Sequence, residues 1–372
     1  MKIIKRRDFI AALGAGALGS AGLAACTREA PDTSSAPGSR RKKIRWKLVS
    51  TWPPNFPGVG TMVNELASMI TSMSGGRLEV KVFGGGELVP ALQVFDAVSR
   101  GTAELGHGAA YYWKGSVPAA QFFAAVPFGM TAQQMNAWLY YGGGIELWRE
   151  LYEPFGLVPF PAGNTGVQMG GWFNREINSV EDLRGLKMRI PGLGGEVLRR
   201  AGGTPVTLPG SEIFTSLQTG AIDATEWIGP YNDLAFGLNK AAKYYYYPGW
   251  HEPGSTLECI VNKSAYESLP EDLKAIVSAA CDAANVRMLS EYTARNAEAL
   301  QRLRDEGATE IRRFPEPVLD KLRGHSEEIL EELTASDPVV AKVRDSYRSF
   351  YRRAHAWHEI SEGAMQDARS LP

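Results

Sequence analysis

Arg189 stands at the expected end of a strand in the run Lys187-Met188-Arg189-Ile190-Pro191-Gly192. A guanidinium at the end of a strand can grip a carboxylate through two parallel charge-assisted hydrogen bonds, or sit in an ion pair at the surface. Glu226 interrupts the otherwise apolar Ala224-Thr225-Glu226-Trp227-Ile228. An acid there is paired, protonated or bound to a cation, because burying it alone is very costly, unless the strand lies at an edge and turns it to solvent. The stretch Gly163-Asn164-Thr165-Gly166-Val167-Gln168-Met169-Gly170-Gly171-Trp172 sets the amides of Asn164 and Gln168 among small residues. That arrangement offers neutral oxygen ligands and a close backbone approach. Ala109-Ala110-Tyr111-Tyr112-Trp113 adds phenols and aromatic walls, and Tyr244 to Tyr247 with Trp250 form a second dense aromatic set; such rings serve equally well as core.

Chemistry that makes or breaks bonds has little support. The sequence holds no phosphate-binding loop, no G-x-S-x-G and no H-E-x-x-H. Gly84-Gly85-Gly86 and Gly192-Leu193-Gly194-Gly195 lack dinucleotide-loop spacing and read as tight turns after strands. His355 and His358 fit one helix face, but Arg352, Arg353 and Glu359 around them mark it as solvated. His107 and His251 have no evident nucleophile to serve. No catalytic constellation emerges.

Positioning these residues requires strands whose ends meet. Ile44 to Ser50 and Leu78 to Phe83 alternate as strands, Ala103 to Ala109 reads as a third, and helices between them carry Met62, Leu66, Ile70 and then Leu92, Phe95, Val98. A second series of strands begins near Gly166: Val167 to Asn174, Lys187 to Ile190, Thr204 to Leu208 and Ala224 to Ile228. Lys243 to Trp250 and Thr256 to Asn262 are β-rich and return the chain to the first series, and from Pro270 onward the pattern is helical. The pattern predicts an α/β fold of parallel β-α-β units in two lobes, with a ligand cleft near the carboxyl ends of the strands. The expected division is residues 44–165 and about 250–285 in lobe I, 166–249 in lobe II, and 286–372 as C-terminal helices.

Lys5-Arg6-Arg7-Asp8-Phe9, a Gly/Ala-rich apolar stretch and Leu23-Ala24-Ala25-Cys26 form an export signal over residues 1–25. The arginine pair resembles a twin-arginine signal, from which Lys5 and Ala11 depart, and the last four residues resemble a lipoprotein box with Cys26 as the lipidated residue. A general secretory signal is the alternative. Residues 26–43 read as a flexible tether. The 372-residue chain carries a net charge of −1, and losing residues 1–25 removes a net +3, leaving −4. Neither value draws nucleic acid or an anionic membrane. Cys259 and Cys281 could form a disulfide in an oxidising periplasm, but they fall on a predicted strand and a predicted helix and read rather as buried free thiols.

The runs G-N-T-G-V-Q-M-G-G-W-F from Gly163, M-R-I-P-G-L-G-G from Met188 and A-T-E-W from Ala224 resemble one family, as do Leu208 to Ile213 and Leu217 to Ala224. It is the extracytoplasmic solute-binding subunits of TRAP (tripartite ATP-independent periplasmic) transporters, within which the chain is most similar to the branch binding 2-oxo acids or lactate with a metal ion. The resemblance covers Ile44 to the C-terminal helices. It implies two α/β lobes with crossing strands and a long spanning helix. It implies that Arg189 binds the carboxylate, that Gln168 contacts both substrate and cation, and that Glu226 and the main-chain oxygen of Trp227 hold the metal. Glu252 is implied as a further acid and Tyr112 as a phenol reaching the ligand, with Asn164 and Trp227 also lining the site. Arg189, a monocarboxylate and Glu226 sum to −1, which a monovalent ion such as Na⁺ neutralises; adding Glu252 favours a divalent ion such as Ca²⁺. A periplasmic location, membrane permease subunits as partners, a homodimer through the C-terminal helices and no enzymatic activity follow. A cofactor-dependent periplasmic enzyme or a ligand-sensing module are the alternative readings.

Overall fold

The computed structural model describes residues 43–369. The export signal, Cys26 and nearly all of the tether lie outside the described residues. The chain first builds β1 (Ile44–Ser50), β2 (Leu78–Phe83), β3 (Leu105–Gly108) and β4 (Leu157–Asn164). It then crosses to β5 (Gly171–Phe173), β6 (Lys187–Arg189), β7 (Thr204–Val206), β8 (Ala224–Thr225) and β9 (Tyr244–Tyr247). It returns for β10 (Thr256–Asn262), runs through the long helix Glu271–Glu306, and ends its strands with β11 (Glu310–Arg313). Two sheets result, in the orders β2-β1-β3-β10-β4 and β11-β9-β5-β8-β6-β7.

Both sheets are mixed, where the periodicity predicts parallel units. β1 pairs in parallel with β2 and β3, as β6 does with β7 and β8. The strands next to a crossing, β10 and β5, run antiparallel to their neighbours. A strand fed from the other lobe enters without a β-α-β connection, so the handedness that enforces parallel order does not act on it.

The core follows the apolar stripes. Helix Val59–Met73 buries Met62, Val63, Leu66 and Ile70 toward the first sheet. In the second sheet Trp172 stacks on Tyr245 with ring centroids 4.1 Å apart, and Tyr246 packs on Phe314. Tyr245 and Tyr246 are therefore core residues. Cys259 on β10 and Cys281 on the long helix are free and buried, and hydrogen bonding to Cys259 together with burial pushes the Cys281 thiol up.

The long helix packs against β4 in the first sheet and against helix Pro230–Phe236 beside the second. Helices Glu316–Ser336 and Pro338–His358 follow, with Asp337 capping the latter through bonds to the backbone of Val339 and Val340. Several segments differ from expectation for physical reasons. β4 hides from periodicity because Pro159 and Pro161 interrupt it; as the edge strand it tolerates two missing donors. The predicted strand Val167 to Asn174 shrinks to β5, since Thr165 and Gln168 bond to the second crossing and Met169 to the Ile228 carbonyl instead. The predicted strand Ala224 to Ile228 stops at Thr225, where Glu226 and Trp227 leave the ladder.

Candidate functional site

The chain crosses between the sheets at 165–170 and again at 248–255, and the two segments lie side by side. Gln168 N donates to the Glu252 carbonyl (3.1 Å), Gly249 N to the Gln168 carbonyl (3.0 Å), and Thr165 N to the Ser255 carbonyl (3.0 Å). Gly249 is required by this approach, because a Cβ there would stand 2.2 Å from the Gln168 carbonyl oxygen. The carboxyl ends of β3, β6 and β8 point at the same place, and this convergence is what a cleft site at strand ends demands.

Arg189, at the end of β6, is only 1% exposed. Its Nε donates to the Leu208 carbonyl (3.3 Å), Nη1 to the Glu226 carbonyl (3.1 Å) and to the Glu226 carboxylate, and Nη2 to the Tyr112 hydroxyl (3.2 Å). The Trp227 ring lies against the guanidinium, 5.0 Å from Cζ to ring centroid. Burial is the largest influence on Arg189 and opposes its charge, but Glu226, Tyr112, Tyr111 and Glu252 together outweigh it and hold the pKa above the ordinary arginine value. Of the alternatives for Glu226, then, the structure places it in a buried ion pair. Its second oxygen lies 3.2 Å from His251 Nε2.

Glu252 accepts from Gln168 Nε2 (2.7 Å) and from the Ser255 hydroxyl. Burial, then repulsion from Glu226, pushes its pKa up to about 7. Gln168 Nε2 also reaches Thr165 Oγ1 (3.2 Å), so both amide hydrogens have acceptors and the orientation of the side chain is fixed. Its Oε1 is left buried without a partner. Ligand-capable atoms of Glu226, His251 and Glu252 all lie within 4.8 Å of one another, and among the described residues no other such group occurs. Two carboxylates and an orphaned amide oxygen are the hard donors that Na⁺ or Ca²⁺ prefers.

Between these groups lies a pocket of about 10 Å³, counted as space open to the centre of a water-sized sphere, walled by Trp52, Tyr111, Tyr112, Gln168, Arg189 and Trp227 among others. Arg189, Gln168, Glu226, Trp227, Glu252 and Tyr112 are thus brought together. Asn164 is not. Its Oδ1 accepts from Gly166 N (2.8 Å) and its Nδ2 donates to Thr256 Oγ1 (3.2 Å), so it ties the first crossing to β10 and contributes no wall. Sequence reasoning weighs His251 only as a catalytic group near a cleft and passes over Trp52. Adjacency to Glu252 was the available signal for His251, and a position just past the end of β1 was the signal for Trp52. His107 supports that wall: it accepts from Trp52 Nε1 (2.8 Å) at Nδ1, so Nε2 carries the hydrogen toward the Ala162 carbonyl (3.2 Å). Burial lowers the His107 pKa to about 4 and keeps it neutral. His355 and His358 stand apart, each near a glutamate one turn on.

Two sheets joined by crossing segments, with a buried arginine at their meeting point, define a two-lobed α/β solute-binding protein. The chain belongs to the bacterial extracellular solute-binding proteins, family 7 (DctP), whose model matches residues 48–337. It is 44% identical over 369 residues to the monocarboxylate 2-oxoacid-binding periplasmic protein of Nostoc sp., covering 99% of both chains. A TRAP periplasmic solute-binding protein from Pseudoalteromonas atlantica, solved with bound sodium and pyruvate, is 45% identical with a TM-score of 0.86, over 88% of this chain and all of that one. One from Colwellia psychrerythraea, solved with calcium and pyruvate, gives the same identity, TM-score and coverage. The TRAP solute-binding family is periplasmic.

Proposed function

We propose that this protein captures a small 2-oxo or 2-hydroxy monocarboxylate, of the size of pyruvate or lactate, together with Na⁺ or Ca²⁺, and delivers it to TRAP membrane permease subunits without transforming it. The observation that carries the reading is the pairing of a buried guanidinium with an orphaned Gln168 Oε1 beside two acids. Arg189 holds the carboxylate. Gln168, Glu226, Glu252 and the Trp227 carbonyl hold the cation, which supplies positive charge for the ligand's neighbouring oxygen. An acid lacking that oxygen leaves buried donors unsatisfied, and discrimination of ~10⁴ is reachable by this means. The small pocket walled by Trp52 and Trp227 favours a short side chain.

The lobes divide at residues 165–170 and 248–255, which act as the hinge, and the long helix spans both. Cys26 anchors the exported chain to the membrane. Exposed Trp357, Ile360 and Met365 near the C-terminus support a pairing of two copies through these helices, which sedimentation would detect. The binding roles of the relatives above support transport over a cofactor-dependent enzyme.

The test is a thermal-shift and calorimetric panel of carboxylic acids, with and without each cation. Pyruvate or lactate should raise the melting temperature more with cation than without. Arg189→Ala should weaken every acid by at least about a hundredfold, since a charge-assisted two-point grip is lost. Undiminished pyruvate binding by Arg189→Ala would overturn the assignment.

A further inference from the structure

A guanidinium offers five N–H donors. In Arg189 four already point at protein acceptors: the Leu208 carbonyl, the Glu226 carbonyl, the Glu226 carboxylate and the Tyr112 hydroxyl. A carboxylate gripped at two points needs two donors along one edge, so at least one protein acceptor has to let go. Two of the four are main-chain oxygens. Of the two side-chain acceptors only Glu226 is charged, and only Glu226 faces an alternative partner. Its other oxygen is at His251, and the ligand-capable oxygen of Glu252 lies within 4.8 Å.

We propose that Glu226 is an exchangeable blocker of the acid site: without cation its carboxylate occupies the Arg189 fork, and a cation drawn to Glu226, Glu252 and Gln168 Oε1 pulls it away and frees the fork for the acid. This rests on the reading of Arg189 as the acid's partner. His251 limits the movement by holding the second carboxylate oxygen, so the release is a rotation about a fixed point. Cation and acid then bind with positive coupling, and the acid tightens the cation by the same factor.

Bridging by the cation alone also gives coupling, so the decisive measurement is made without cation. Calorimetry with pyruvate as the probe, at pH 8.5 in sodium-free buffer with chelator, compares wild type with Glu226→Gln and Glu252→Gln. Removing the blocker should make Glu226→Gln bind pyruvate about tenfold tighter than wild type, and calcium should then add little. Glu252→Gln removes a charge from the same site but does not vacate the Arg189 fork, so its gain in cation-free pyruvate affinity should be at most about a third of that of Glu226→Gln. Glu226→Ala serves as a second variant, expected to move in the same direction, with near-UV circular dichroism reporting the fold of each. Cation-free affinity in both Glu226 variants no better than wild type would overturn the proposal, as would an equal gain in Glu252→Gln, which would show general charge relief. Full pyruvate binding by Arg189→Ala is a different failure, since it removes the underlying site reading and not the blocker alone.

Discussion

Glu258 on β10 is a carboxyl buried without a cation, and it shows what burial does where no ligand is involved. Trp113 Nε1 and the Tyr152 hydroxyl (3.0 Å) donate to its two oxygens, yet desolvation dominates and pushes its pKa up to about 7 from 4.5. Below pH 4.5 the acid is protonated in both folded and unfolded chains, and its contribution to stability is complete. As pH rises from 4.5 to 7 the unfolded chain releases the proton first, so stability falls by about 3 kcal/mol across that window. Glu258→Gln copies the protonated acid and should flatten this part of a denaturant-derived stability profile; an unchanged slope would mean Glu258 is ionised in the fold. Glu226 is legible in the sequence because a charged residue inside an apolar run must answer to a partner, whereas the strand end alone leaves Arg189 open between a bound carboxylate and a surface ion pair. Asn164 and Gln168 looked alike in sequence, both amides among glycines. Only the tertiary neighbours, Gly166 and Thr256 for one and Glu252 for the other, send them to different tasks.

The crossing segments matter at the scale of elements. They are irregular, so no periodicity announces their pairing, whereas the amphipathic stripe of Val59–Met73 and the alternation of β1 and β2 are readable directly. The prolines of β4 and the charged run of β11 obscured two edge strands whose existence depends on β10 and β9 beside them. Gly249→Ala tests the pairing, because its new Cβ must push away the Gln168 carbonyl. We expect a loss of about 1–3 kcal/mol in stability, as for other overpacked positions, with a drop in calcium affinity as Gln168 shifts. Unaltered calcium binding would show that Gln168 is not held by this contact.

At the scale of the molecule, Asn232 gathers parts far apart in sequence. Its Nδ2 donates to the Pro57 carbonyl (3.0 Å), while its Oδ1 accepts from the Tyr292 hydroxyl (2.8 Å) and from Trp227 Nε1 (3.3 Å). A pocket wall, a loop of the first lobe and the long helix therefore meet at one side chain. Asn232→Ala strands buried donors and should lower stability by about 2–3 kcal/mol, against about 1 kcal/mol for Tyr292→Phe, which removes the hydroxyl but leaves the Asn232 amide in place. Thermal melts of the two variants would check this order, and equal losses would contradict it. The helix bearing Tyr292 has 36 residues and is about 54 Å long. Tyr292 sits about 32 Å from the start of that helix, so each degree of tilt about this seat moves the start through about 0.5 Å. The Trp227 wall is thereby tied, through Asn232 and Tyr292, to a helix that reaches well beyond the pocket.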